Sequence, residues 1–221
     1  GLKARGAGDA DVLSATWRVF GNGGVIRFED EPIIAQFTRS APPGHNRVRR
    51  YNGFKTMFRP QCVRRLGVHR PKYAPRFRDG TTPLKWVNGS GEEMPMQYIT
   101  QGWRSAADSY GDALVTMNHY MIKSSEAFLM KRYRGTANSA DQDRIDFSYF
   151  DTFNANHVEN VSIQRHVPNL RAAIEDLKTR VPKLRELHAE SLAWHRPRLD
   201  VARSEVIADL PEIAQKLGLV A

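Results

Sequence analysis

The residues with the most capacity for chemistry lie in one run, Asn118-His119-Tyr120 followed by Lys123, Ser124, Glu126, Phe128, Lys131, Arg134 and Gly135. An imidazole binds divalent metals well and carries protons near neutral pH, which makes His119 the sharpest candidate. The competing reading is a structural histidine bonded to a neighbouring backbone group. Lys123 follows within one turn, and Lys131 and Arg134 are three residues apart, on one face of a helix. Together these cations suit a pyrophosphate. They would also complement the negative carboxyl end of a helix, which accounts for Lys131 and Arg134 better than for Lys123.

A second place is Glu29-Asp30, between a short extended run and a helix start, where an exposed carboxylate can serve as a catalytic base. Helix capping by Asp30 is the more economical reading. Gly21-Asn22-Gly23-Gly24 could bring backbone close to a phosphate, but without a following long helix a hairpin turn explains it better. His69 is a second strand-end histidine, a weaker metal candidate that reads better as structural. Asp9-Ala10-Asp11 precedes its apolar run and Asp141-Gln142-Asp143 follows none, so neither is taken as a metal pair.

The elements that must position these residues follow from pattern. Ala113–Met117 reads as a buried strand delivering His119. A helix then starts at Ser124 or Ser125, carries Glu126 in its positive first turn, and ends at Gly135. Upstream, 11–20 reads as a strand, 21–24 as a turn, and 25–28 as a second extended run. Asp30 then caps a helix with Pro32 in its first turn, reaching about Thr38. Strands are expected at 54–59 and 66–69, followed by a Pro- and Gly-rich stretch to about Met96. Trp17, Trp86 and Trp103 argue for order there. Beyond Gly135, Leu170, Ile174, Leu177, Val181, Leu184 and Leu187 form a helical stripe interrupted by Pro182. Pro197 and Pro211 are expected to punctuate two further short helices.

The chain has 221 residues, ample for a core, and a net charge of +9. The charge is uneven: residues 32–78 hold twelve Lys or Arg and no acid, so the remainder sums to −3. Such a field suits an anionic partner, whether nucleic acid, acidic phospholipid or a phosphorylated small molecule. The alternative is a basic surface paired within the fold. Arginines interleaved with Tyr51, Phe54, Phe58, Tyr73 and Phe77 suit single-stranded nucleic acid, unless those rings pack inside. No apolar run approaches the ~20 residues of a membrane span. The lone Cys62 forms no internal disulfide, which fits a cytoplasmic setting.

Several segments, in order, resemble a bacterial family of glycosyltransferases related to glycosyltransferase family 2. They are residues 14–24 (Ser-Ala-Thr-Trp-Arg-Val-Phe-Gly-Asn-Gly-Gly), Gln36-Phe37-Thr38-Arg39, Phe54–Arg59, Gly67–Lys72, Val87-Asn88-Gly89 and the Asn118–Gly135 run. Together they span roughly residues 11–165. The resemblance implies an incomplete GT-A-like α/β (or α+β) mixed sheet with flanking helices, an acceptor-side half over 1–160 and a helical tail over 161–221. It implies metal-dependent transfer of a sugar from a nucleotide-diphosphate donor to a glycan or other hydroxyl acceptor, with Mn or Mg as cofactor. On this chain His119 becomes the metal ligand and Glu29 or Asp30 the base. Trp17 and Gly21 line the acceptor side, and Lys123, Lys131 and Arg134 lie near the diphosphate. In that family a nucleotide-binding half ending in an Asp-x-Asp-like motif precedes the Trp17 strand. This sequence begins after it, so the chain is expected to be inactive alone. The rival expectation is a non-catalytic basic module for nucleic acid or an acidic partner, with nucleic acid ranked below the nucleotide sugar. A membrane surface, or a partner chain at an exposed sheet edge, completes the set of expected partners.

Overall fold

The computed structural model describes residues 8–134 and 145–220; Gly135 and Asp141-Gln142-Asp143 lie outside the described residues. In chain order the elements are β1 (Val12–Phe20), α1 (Ile33–Gln36), β2 (Arg39–Ser40), β3 (Phe54–Phe58), β4 (Val63–Arg65), β5 (Lys72–Tyr73), α2 (Pro75–Arg78) and β6 (Trp86–Val87). They continue with β7 (Met117–Tyr120), α3 (Ser125–Arg134), α4 (Phe147–Phe153), β8 (Val158–Glu159), α5 (Val167–Arg180), α6 (Pro182–Asp209) and α7 (Pro211–Lys216). The fold is mixed α/β with a helical carboxyl-terminal region. Among the described residues no helix is long and apolar enough to cross a membrane.

The described chain divides into two compact units, one from residues 8–19 and 41–119 and the other from 20–40 and 120–220. The expected boundary near residue 160 is not where this division falls. The helices beyond it share a unit with residues 20–40 and 120–134.

In the first unit β1 is central, and each of its residues is buried. It pairs antiparallel with β3 (Val12↔Phe58 to Thr16↔Phe54) and parallel with β6 (Val12↔Trp86, Leu13↔Val87), and it also pairs with β7. Val12, Phe54, Tyr73, Phe77, Trp86 and Tyr98 form the core beside it. The polar residues of β1 are matched internally: the Trp86 indole donates to Ser14 Oγ at 2.8 Å, and Thr116 Oγ1 donates to Thr16 O at 2.9 Å. Irregular chain around the sheet is fixed by side chains. Buried Asn88 accepts the Ser90 and Glu92 N–H groups at 2.9 and 3.1 Å, and the Arg70 guanidinium donates to the Ile99 and Gly102 carbonyls at 3.0 and 2.9 Å. Ordered structure thus fills the Pro- and Gly-rich stretch, as its tryptophans suggested.

Two expected strands fall elsewhere. The Leu114 and Val115 N–H groups donate to Gly89 O at 2.8 and 3.0 Å, so 113–116 belongs to a loop clasp and only β7 is extended. Residues 66–69 form no strand; the neighbouring β4 pairs with β5 instead.

In the second unit Phe20 pairs with Ser40, and β2 pairs antiparallel with β8. The turn after Gly21 forms as expected: Val25 N donates to Asn22 O at 2.9 Å, with Gly23 and Gly24 at φ 60° and 83°. A second hairpin strand does not follow. Residues 25–28 turn instead to the start of α3, whose first N–H groups need partners. Ser125 N donates to Val25 O (3.2 Å) and Glu126 N to Ile26 O (3.0 Å), while Ser124 Oγ accepts from Ala127 N at 3.1 Å.

Glu126 then binds the assembly together. Its carboxylate, 3% exposed, accepts the Phe28 N–H at 2.7 Å and pairs with Arg27 at 2.9 Å and with Arg203 of α6 at 2.8 Å. Burial alone pushes this carboxyl up. The Phe28 N–H and the two guanidinium groups outweigh that and hold it below its ordinary value.

The tail departs from expectation. α6 continues through Pro197 without a break. Burial of Leu199, Ala202 and Val206 in the following turns offsets the lost backbone hydrogen bond, worth about 3 kcal/mol with its ring clash. The expected apolar stripe is mostly open, with Leu177, Leu184 and Leu187 between 36% and 46% exposed.

Removing the Glu126 charge takes its carboxylate from Arg203, which keeps Asp200, and from the exposed Arg27, so Glu126→Gln is expected to cost about 1–2 kcal/mol of unfolding free energy in denaturant titration. Because its folded pKa is depressed, wild-type stability from this group is present above about pH 4.5 and declines as pH falls through the folded value. The variant should lack that acid-side decline.

Candidate functional site

A cleft of about 580 Å³ opens in the second unit, walled by the Phe28–Glu31 loop, α1, the Tyr120–Ser124 segment, α3 and α6. Glu29, Asp30, Lys123, Lys131 and Arg134 all line it. Five of the eight residues singled out in the sequence therefore meet in one place, although about a hundred positions separate the acidic pair from the cations.

The cations are positioned by α3 and its lead-in. Lys123 has φ 67°, the left-handed region, and is the sole non-glycine residue there among the described residues. Backbone of this kind costs roughly 1–3 kcal/mol and is kept where its surroundings enforce it. Here Ile122 and Ser124 are buried on either side, and Ser124 must cap α3. Lys131 is held deeper: Nζ donates to Met121 O at 2.9 Å and Tyr149 Oη at 2.8 Å, and sits 4.3 Å from the Tyr149 ring centre. Burial, and secondarily the charges of Lys123 and Arg134, lower its pKa to about 8. None of the three makes an ion pair among the described residues. Three cations gathered on the α3 side of a cleft whose carboxylates do not pair with them suit an anion.

The acidic wall is partly engaged. Asp30 does not cap α1, which has no side-chain cap; its Oδ1 lies 2.9 Å from His188 Nε2 of α6. Glu31 pairs with Arg171 at 2.8 Å. Glu29 is exposed and makes no ion pair among the described residues, which leaves it the freer carboxylate.

Three lining residues came from the tail, where the sequence was read as a helical appendage. Trp194 is 56% exposed and lies under the Arg198 guanidinium at 3.9 Å. At the next position, the His195 ring packs 4.6 Å from Phe28, and its Nε2 is buried without a hydrogen-bond partner among the described residues. Burial lowers the His195 pKa, favouring the neutral ring. The cluster Trp194-His195-Arg196-Pro197-Arg198 was the available signal, an aromatic among cations within one helical turn.

The other three expected residues do not line this cleft. Gly21 is architectural: a Cβ there would meet Asn156 Oδ1 at 2.2 Å. Trp17 is buried in the first unit, its ring 5.5 Å from both Trp103 and His69. His119 belongs to that unit too and packs edge-on against Trp17 at 4.1 Å. His69 Nδ1 faces Phe54 O at 3.3 Å, which gives it a structural partner. Asp9 pairs with Lys85, and Asp11 accepts the Lys85 N–H at 3.0 Å. Among the described residues no three His, Cys, Asp or Glu side chains gather as a metal-binding set.

The aromatics interleaved with the basic stretch pack inside: Tyr51, Phe54, Tyr73 and Phe77 are all buried. They offer no stacking platform for bases. Comparison with family models, with curated proteins and with solved structures gives no match for this chain.

A glycine at position 123 would adopt the left-handed backbone without strain. Lys123→Gly is therefore expected to raise stability by about 1 kcal/mol in thermal or denaturant unfolding while weakening pyrophosphate binding. A destabilised variant would contradict the strain assignment.

Proposed function

We propose that this chain is glycosyltransferase-like and that the cleft of its second unit holds the diphosphate and sugar of a nucleotide-sugar donor. The supporting observation is the convergence of an acidic wall at Glu29-Asp30 with three cations that make no ion pair among the described residues, Lys123, Lys131 and Arg134, in one cleft of about 580 Å³. That volume falls within the range of small-molecule sites, roughly 300–1,000 Å³.

In the transfer, the bond from the sugar's anomeric carbon to the diphosphate breaks as a bond to the acceptor oxygen forms. The acceptor's hydroxyl proton passes to Glu29, and the diphosphate leaves as an anion beside Lys123, Lys131 and Arg134. Asp30, tied to His188, positions the acidic wall. Trp194 presents an exposed apolar face on which a sugar or base ring can rest. Among the described residues no group of three His, Cys, Asp or Glu side chains supplies a ligand set for the divalent metal that the resemblance implies. A cytoplasmic setting, in keeping with the lone buried Cys62, belongs to the same proposal.

Calorimetric titration with a panel of nucleotide-diphosphate sugars, with and without Mn, tests this reading. Binding tighter than that of the free sugars, weakened about tenfold or more in Arg134→Gln, is expected. Where turnover is detected, Glu29→Gln should retain binding and lower the rate about a hundredfold or more. Nucleotide sugars that bind no better than free sugars would overturn the proposal.

A further inference from the structure

The basic stretch of the first unit splits into two groups of arginines with different fates. Arg70 spends its guanidinium on backbone carbonyls, and Arg59 donates to Ala10 O and Gly8 O at 3.1 Å each. Arg18, outside the stretch, pairs with Asp112 at 2.9 Å. Arg47, Arg49 and Arg104 make no ion pair among the described residues, and all three line a cleft of about 620 Å³ that lacks any acidic residue.

This cleft is built rather than incidental. Buried Asn52 pins the loop that carries the arginines: Asn46 N donates to Asn52 Oδ1 at 2.9 Å, and Asn52 Nδ2 donates back to Asn46 O at 2.7 Å. On the opposite wall Ser105 N donates to Asn52 O at 2.8 Å, which fixes Arg104 next to it. The Arg104 guanidinium stacks on the Trp103 ring at 3.7 Å, and its Nε is buried without a hydrogen-bond partner among the described residues. Burial first, and then the charges of Arg49 and Arg50, weaken its hold on its proton. A planar fork held flat, with a buried donor unmatched and like charges crowding it, is arranged for oxygens of an anion. Tyr98, the one tyrosine lining the cleft, is buried, with its hydroxyl donating to Arg104 O at 2.9 Å, so the cleft offers cations and not an exposed tyrosine face.

We propose that this cleft binds the phosphate group of a small phosphate ester, with Arg104, Arg49 and Arg47 bonding its oxygens. The assignment is independent of the transfer chemistry, since it uses different residues in the other unit.

The four tryptophans make the test clean, because Trp194 is alone in the second unit while Trp17, Trp86 and Trp103 belong to the first. In a Trp194→Phe background, tryptophan emission therefore reports on the first unit. Titration with glucose 6-phosphate should give a saturable change, and glucose alone should give none. Arg49→Gln and the charge-preserving Arg104→Lys should each weaken binding by about tenfold or more, with unchanged far-ultraviolet circular dichroism. Inorganic phosphate binding more weakly than the ester supports an ester ligand; equal binding assigns the site to free phosphate. A response confined to a short single-stranded oligonucleotide, no response at all, or affinities unchanged in both variants would overturn the proposal.

Discussion

The second unit depends on one buried carboxylate. Glu126 lies in the first turn of α3, yet it accepts the Phe28 N–H and pairs with Arg27 and with Arg203 of α6. Through it three separate pieces of chain converge: the loop that carries Glu29-Asp30, the helix that carries Lys131 and Arg134, and the helix that carries Trp194 and His195. A lone buried carboxylate is costly, so it holds its cations firmly only if all its acceptor positions are used. Both of its oxygens accept here, Oε1 from Arg27 and Arg203 and Oε2 from the Phe28 N–H, which makes the carboxylate a clamp between the pieces of chain that wall the cleft.

The same logic of matched and unmatched charge runs through the chain. Arg70 and Arg18 are absorbed by carbonyls or a carboxylate, and their burial is structural. Lys123, Lys131 and Arg134 in one unit, and Arg47, Arg49 and Arg104 in the other, make no ion pair among the described residues. Only Arg47 and Arg49 of these come from the basic stretch noted in the sequence; the others are brought into the two local concentrations by the fold. Each is held by polar side chains that secure its backbone, Ser124 in one case and Asn52 in the other.

What could be read in advance was local. The α3 start at Ser124-Ser125, its acidic first turn, the turn at Gly21–Gly24 and the strand at Val12–Phe20 all follow from caps, glycines and apolar runs within a few residues. Glu29 and Asp30 line one cleft with Lys123, Lys131 and Arg134, a juxtaposition that no local pattern announces. Long-range partners were not legible. Asp30 looked like a cap because nothing nearby announces His188, and 25–28 looked like a strand because its claim on α3 is made a hundred residues away. Trp194 and His195 were hidden by a helical pattern whose apolar stripe suggested simple packing. His119, the most conspicuous residue in the sequence, proves to be packed on Trp17 in the other unit.

The central claim is that Lys123, Lys131 and Arg134, crowded together and not ion-paired among the described residues, form an anion site within a cleft that also carries an acidic wall. It is tested most directly by measuring the Lys131 ammonium pKa by nuclear magnetic resonance, with and without pyrophosphate. The account predicts titration near the depressed value of about 8 in the free protein. It also predicts an upward shift with pyrophosphate, so that affinity falls as pH rises through that value. A Lys131 that titrates at its ordinary value of 10.5 and ignores pyrophosphate would contradict it.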